Sequence, residues 1–199
     1  VAVSAFNHPF NLIVHQVIPA VAVGCPVIVK PANPTPLSCL SLVKCLYEAG
    51  LPEEWCRTII CENADAEKLV TDSRVAFFTF IGSGAVGWML HSKLAPGTRC
   101  ALEHGGAAPV IVDHDADLKD TLPLLAKGGF YHAGQVCVSV QKIYVHESLI
   151  DSFSKGLVEL AENLLVGDPL DEKTEVAPLI LEREVNRVDQ WVQEAKSEG

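Results

Sequence analysis

Apolar runs too short to be helices alternate with segments of helical periodicity along most of the chain, and this alternation leaves few folds open. PVIVKPA (26–32) is a near-continuous apolar run of the kind buried on both faces in a parallel sheet. A helical stretch around 10–23, with Leu12, Val14, His15 and Ile18, precedes it and ends at Gly24. Beyond the run, Thr35 suits an N-cap and Pro36 the first helical position. Leu37, Leu40, Val43 and Leu46 then recur at helical spacing until Gly50 and Pro52 supply the stop. VAVSAF (1–6), RTIIC (57–61), VAFFTFIG (75–82), TRCALEHG (98–105) and APVIVD (108–113) read as further strands, with helices near 64–72 and from Ser83. Strands and helices in this order form right-handed βαβ units. The expected class is therefore α/β, a parallel open sheet of Rossmann-like type with helices on both faces.

After residue 113 a helical stretch leads into the turn YHAGQVC (131–137), and VSVQKIYVH (138–146) reads as an alternating strand. A helix near 147–164 carries the stripe Leu149, Phe153, Leu157, Leu160 and Leu164. A charged closing helix, 182–197, is expected to turn Val185, Val188 and Val192 inward. A domain boundary is expected at Gly105–Gly106, dividing 1–105 from 106–199.

Charge narrows the partners. The 25 acidic residues outnumber the 15 basic ones, for a formal net charge of −10. That balance argues against nucleic acid and anionic membranes, which require Lys/Arg clusters. No apolar run reaches the ~18 residues that mark a membrane span. The chain opens in a strand without a basic leader, so it reads as the interior of a longer protein. With 49% hydrophobic and only 20% charged residues, some apolar surface is expected to face further chain or a partner subunit. Seven cysteines make no CxxC pair and seven histidines no HExxH, so no structural metal site is expected. Six of the cysteines lie among aliphatic residues and read as reduced core cysteines of a cytoplasmic protein.

Cys137 stands apart because it follows a glycine-containing turn. A nucleophilic thiol needs such a place, held at an element end where a substrate can reach it. Four other stretches carry chemistry, each with a plainer alternative. FIGSGAVG (80–87) joins a strand to a helix through Gly82, Ser83 and Gly84, and either cradles an anion or is an ordinary tight turn. Lys30 closes an apolar strand, where ligands of open α/β sheets gather, although an exposed lysine there needs no ligand. Glu103, before two glycines that permit unusual backbone angles, is a candidate general base or a surface carboxylate. Asn7 could donate its amide to an oxyanion or simply form the turn before Pro9.

Taken together, these stretches resemble the NAD(P)-dependent aldehyde dehydrogenases. AFNHPFN is similar to the family's PWNxP segment, VKPANPTPLS to KPSExTPLS, and FIGSGAVG to FTGSxxVG. LEHGGAAPVIV is similar to LELGGKxPxIV, and GQVC to GQxC. The order and spacing hold from end to end, including VGDPLDEKTEVAPLI (166–180) and the closing helix.

The resemblance implies that 1–105 is part of a dinucleotide-binding domain and that 106–199 is the start of an α/β catalytic domain bearing the nucleophile. Cys137 would attack the aldehyde, and the Asn7 side chain with the Cys137 backbone N–H would stabilise the oxyanion. Glu103 would activate the water that hydrolyses the thioester. Lys30, Ala32, Asn33, Gly82, Ser83, Val86 and Gly105 would hold NAD or NADP, with Lys30 on the adenosine ribose and Ser83 on the pyrophosphate. The implied partners are an aldehyde substrate and, at full length, further copies of the chain. Three departures qualify this. Asn33 replaces the family's glutamate, so NADP should be tolerated. His104 and Ala107 replace a leucine and a lysine, and Gln16 stands where many members have lysine. The match also covers only the middle of the family's length. Two readings compete: a relative that passes the thioester to coenzyme A, against which Glu103 argues, and a non-catalytic dinucleotide-binding fragment.

Overall fold

The computed structural model describes residues 1–199, which divide into two compact units, Val1–Gly105 and Gly106–Gly199. In the first unit β1 (Ala2–Val3), α1 (Asn11–Ala22), β2 (Val27–Lys30), α2 (Leu37–Glu48), β3 (Cys56–Thr58), α3 (Asn63–Val70), β4 (Phe77–Gly82), α4 (Gly84–His91) and β5 (Arg99–His104) follow in order. All five strands are parallel, in the spatial order β3-β2-β1-β4-β5. The order reverses at β1 and β4, the topological switch point where ligands of open α/β sheets bind beyond the carboxyl ends of the strands.

Side chains alternate across the sheet, so each face needs its own cover. On one face Ala2, Val27, Val29 and Cys56 pack with Ile13 and Val17 of α1 and with Cys39, Leu42 and Val43 of α2. On the other, Phe78 and Phe80 of β4 pack with Val70 of α3 and Leu90 of α4, flanked by Val1 and Val3. Full burial of one such side chain contributes roughly 1.5–3 kcal/mol.

The second unit contains β6 (Val110–Val112), α5 (Leu118–Phe130), β7 (Ile143–Val145), α6 (Ile150–Glu162) and α7 (Glu182–Glu198). β6 and β7 form a separate two-stranded parallel sheet. Its core is small, with Val112, Leu125 and Phe153 buried and Leu149 and Leu157 packed against them. Phe153 and its neighbours on α6 thus use the stripe expected from sequence.

Several expectations need correction. Residues 138–142 are not strand: Val140 N–H donates to Gly128 O, Gln141 N–H to Ala107 O, and the buried Ser139 hydroxyl bonds the Gly128 and Gly129 carbonyls. Those bonds hold the segment against the end of α5, so regular structure begins only at Ile143. Thr35 does not cap α2. Its hydroxyl donates to Phe6 O, and Pro36 occupies the cap position. The strand expected over 57–61 is Cys56–Thr58, whose register with β2 ends at Thr58 opposite Val29, with one further bond from Ile59 N–H to Val29 O. Val185, Val188 and Val192 on α7 are exposed, because nothing in the chain packs over that face. Among the cysteines expected in the core, Cys39 and Cys56 are buried but Cys25 and Cys45 are exposed. Burial pushes the Cys56 thiol up to about 11.

Candidate functional site

Four stretches singled out in the first unit end neighbouring strands of one sheet edge. Asn7 follows β1, Lys30 closes β2, Gly82 closes β4 with Ser83 just beyond it, and Glu103 lies one residue before the end of β5 with Gly105 just after it. The edge arises because each βα connection leaves the sheet at the carboxyl end of its strand.

Lys30 is buried, and its ammonium donates to Asn33 Oδ1 at 2.9 Å and to Pro31 O at 3.3 Å. Both partners are neutral, and no carboxylate pairs with the charge. A buried cation in this state is stabilised by an anion or by further acceptors. Ala32 is half-buried and Asn33 exposed beside it.

At the β4–α4 turn, Ser83 takes the N-cap position with extended backbone but makes no side-chain cap bond. The first amides of α4 therefore keep the free N–H groups that make a helix start attractive to phosphate. Gly82 has a steric reason here, because a Cβ at this position would lie 2.6 Å from Phe80 Cζ. Val86 is exposed one turn on. His104 fills the space beside Gly87, where a Cβ would come within 2.2 Å of Nε2, and its ring packs edge-on to Trp88 and Phe80. Glu103 is exposed, with its backbone paired to Ile81. Gly105 and Gly106 do not adopt positive φ, contrary to the conformational role expected for them; the left-handed residue nearby is Ala108, at φ 39°.

The β1 end is tied to its neighbours. Ser4 N–H donates to Lys30 O at 3.0 Å, and Thr35 reaches Phe6 O. Gln16 of α1 is buried, and its amide nitrogen donates to Val3 O, Thr79 O and Thr79 Oγ1 at 3.1, 3.3 and 3.2 Å. Sequence reading noted Gln16 only as a replaced lysine and missed Ser4. The one available signal was a serine within an otherwise apolar strand run. A groove of about 930 Å³ opens at the opposite, amino-terminal end of the strands, where Val27, Phe77 and Arg99 begin them. Gln16 and Thr79 line it, whereas Asn7, Lys30, Ser83 and Glu103 do not.

In the second unit Cys137 is exposed on a strained turn. His132 and Ala133 have φ of 50° and 55°, followed by Gly134 at 73°. Two non-glycine residues in this region cost on the order of 1–2 kcal/mol each, and such strain clusters at functional turns. The turn is held on both sides. The Gln135 side chain donates to His132 O and accepts from Ile180 N–H, the Val136 side chain is buried, and Ser139 N–H donates to Val136 O. The thiol is thus presented by a fixed backbone.

An open parallel sheet with a switch point between β1 and β4, followed by a thiol on a strained turn, defines a protein of the open-sheet α/β class. Comparison with known proteins makes this specific. The family model for the aldehyde dehydrogenase family matches residues 1–199, and the chain belongs to that family. It is 42% identical over its whole length to 3-sulfolactaldehyde dehydrogenase of Priestia aryabhattai, covering 42% of that protein. Among solved structures it is similar to aldehyde dehydrogenase 21 of Physcomitrella patens in complex with the reaction product succinate, with 40% identity and a TM-score of 0.94. It covers all of this chain and 41% of that one. It is likewise similar to the glyceraldehyde-3-phosphate dehydrogenase GapN of Methanocaldococcus jannaschii complexed with NADP, at 38% identity and a TM-score of 0.94, over 100% and 44% of the two chains. The chain spans less than half the length of these relatives. No helix is long and apolar enough to cross a membrane.

Proposed function

We propose that the protein oxidises an aldehyde to a carboxylic acid with NAD or NADP as acceptor. The observation that carries this reading is an exposed Cys137 on a strained, doubly anchored turn in a chain that belongs to the aldehyde dehydrogenase family. The residues at the strand ends fit a dinucleotide: a buried lysine without a carboxylate partner, and uncapped amides at the start of α4. Bound there, the nicotinamide supplies the hydride acceptor. Lys30 would hold the adenosine ribose, and Ser83 with the Gly82 turn would hold the pyrophosphate, while Ala32, Asn33, Val86 and Gly105 would line the same edge.

The Cys137 thiolate attacks the aldehyde carbon, and the C=O electron pair moves to oxygen as a thiohemiacetal oxyanion. The Asn7 amide and the Cys137 backbone N–H stabilise that charge. Departure of hydride from the same carbon leaves a thioester on Cys137. Glu103 removes a proton from water as it attacks the thioester, which releases the acid and restores the thiolate. Loss of the family's glutamate at Asn33 removes a carboxylate that would repel a 2′-phosphate, so NADP is used at least as efficiently as NAD. A strong NAD preference in steady-state kinetics would defeat that part.

The test is the mass of the acyl-enzyme in the whole protein. Cys137→Ala should form no adduct and lose at least about 10³-fold in kcat. Glu103→Gln should accumulate the thioester and lose about 10²-fold or more. An adduct on another residue, or normal turnover in Cys137→Ala, would overturn the proposal. Transfer of the acyl group to coenzyme A in preference to water would instead favour the acylating relative.

A further inference from the structure

The proposed oxyanion role of Asn7 raises a question of orientation. A side-chain amide donates through nitrogen and repels an oxyanion through oxygen, so the catalytic rotamer needs its Oδ1 held by a donor. Asn7 Oδ1 is buried, and no protein donor reaches it. The same holds for Ser4 Oγ and Gln16 Oε1, three residues before Asn7 and nine after it.

The Gln16 amide cannot simply turn over to remedy this. Its nitrogen serves three acceptors on β1 and β4, and exchange would set Oε1 against the Val3 and Thr79 carbonyl oxygens. Its position is therefore fixed at the Val3–Ser4 peptide. A buried acceptor without a partner costs about 1–3 kcal/mol, and native proteins meet that need with internal water bound by two to four polar groups.

We propose, resting on the Asn7 reading above, that an ordered water donates to Asn7 Oδ1 and Gln16 Oε1 and accepts from the Ser4 hydroxyl. The donor count closes: two hydrogens for two acceptor-only oxygens, and one lone pair for the hydroxyl proton. Ser4 and Gln16 are then positioning residues, acting through the water to turn the Asn7 N–H groups toward the oxyanion.

Two measurements test it. High-resolution diffraction should show one ordered water within hydrogen-bond distance of all three oxygens. A site without that water, or with the three oxygens paired otherwise, overturns the inference. Kinetics in the whole protein separate it from a purely structural role. Ser4→Ala should lower kcat by about three- to tenfold, the worth of one hydrogen bond, with KM for aldehyde and NADP unchanged. Asn7→Ala should lower kcat about 10²-fold or more. In the Asn7→Ala background Ser4→Ala should have no further effect, since there is no amide left to orient. Equal losses from Ser4→Ala in both backgrounds would sink the water while leaving Asn7 in its role. An Asn7→Ala protein with undiminished kcat would remove the oxyanion reading and this inference with it.

Discussion

The two units present their chemistry-bearing residues in opposite ways. In the first, Asn7, Lys30, Ser83 and Glu103 sit at the ends of adjacent hydrogen-bonded strands, backed by apolar clusters on both faces. In the second, Cys137 rests on a turn with consecutive left-handed residues beside a two-stranded sheet and a small core. The sheet edge places groups through cooperative packing, so no single residue need be strained. The turn places one atom by local constraint, with a cost in backbone energy that the anchors at Gln135, Val136 and Ser139 offset. A sheet edge tolerates substitution at its surface positions, whereas a thiol turn depends on each anchor.

Core truncation should expose this contrast most strongly. Phe78 is fully buried in the first unit, and Phe78→Ala should destabilise it by about 3–5 kcal/mol in denaturant titration. If Phe153→Ala in the second unit costs as much or more, the view of a well-packed sheet beside a lightly packed unit fails. A smaller loss is expected from Gly87→Ala, whose Cβ would meet His104 at 2.2 Å and Phe80 at 3.1 Å. Overpacking of this kind costs about 1–3 kcal/mol. Gly106→Ala, with its nearest neighbour at 4.0 Å, should stay within about 0.5 kcal/mol. Equal effects of the two would show that the fit around His104 has been overstated.

Alkaline pH sharpens the comparison further. Burial raises the Cys56 thiol from 9.0 to about 11, so above pH 9 the unfolded chain loses a proton that the folded chain retains. Stability from this group is complete below that pH and declines as pH rises toward 11. Urea midpoints across this range should fall in the parent and fall less steeply in Cys56→Ala. Identical slopes would remove Cys56 as the cause. The turn should give a small effect of the opposite sign. Ala133→Gly should relieve the left-handed strain and raise stability by about 1 kcal/mol or less, since glycine's extra unfolded-state entropy takes back part of the gain. A drop in melting temperature would mean that the turn is unstrained.

Much of this molecule was legible in its residues. Apolar runs and helical stripes are local patterns, so the βαβ order, the parallel sheet and the helices over 10–23 and 64–72 could be read from them, and the ordered motifs carried the family. Strand ends were less legible, because a strand stops where its neighbour stops pairing; β1 is two residues long and not six, and 59–61 lie beyond β3. Segment 138–142 has alternating residues but spends its backbone bonds on α5 and Ala107, which no local pattern announces. The α7 valines show the converse: an amphipathic pattern records a face made for burial, while only tertiary contacts decide whether anything covers it. The sequence by itself determined the fold class and the family, and it named the candidate residues for the chemistry. Tertiary structure alone decided that Lys30 is buried beside neutral acceptors, that His132 and Ala133 are left-handed, and that Ser4 Oγ, Asn7 Oδ1 and Gln16 Oε1 are buried without a protein partner. Desolvation, strain and hydrogen-bond satisfaction are properties of an assembled environment, to which residues distant in sequence contribute at once.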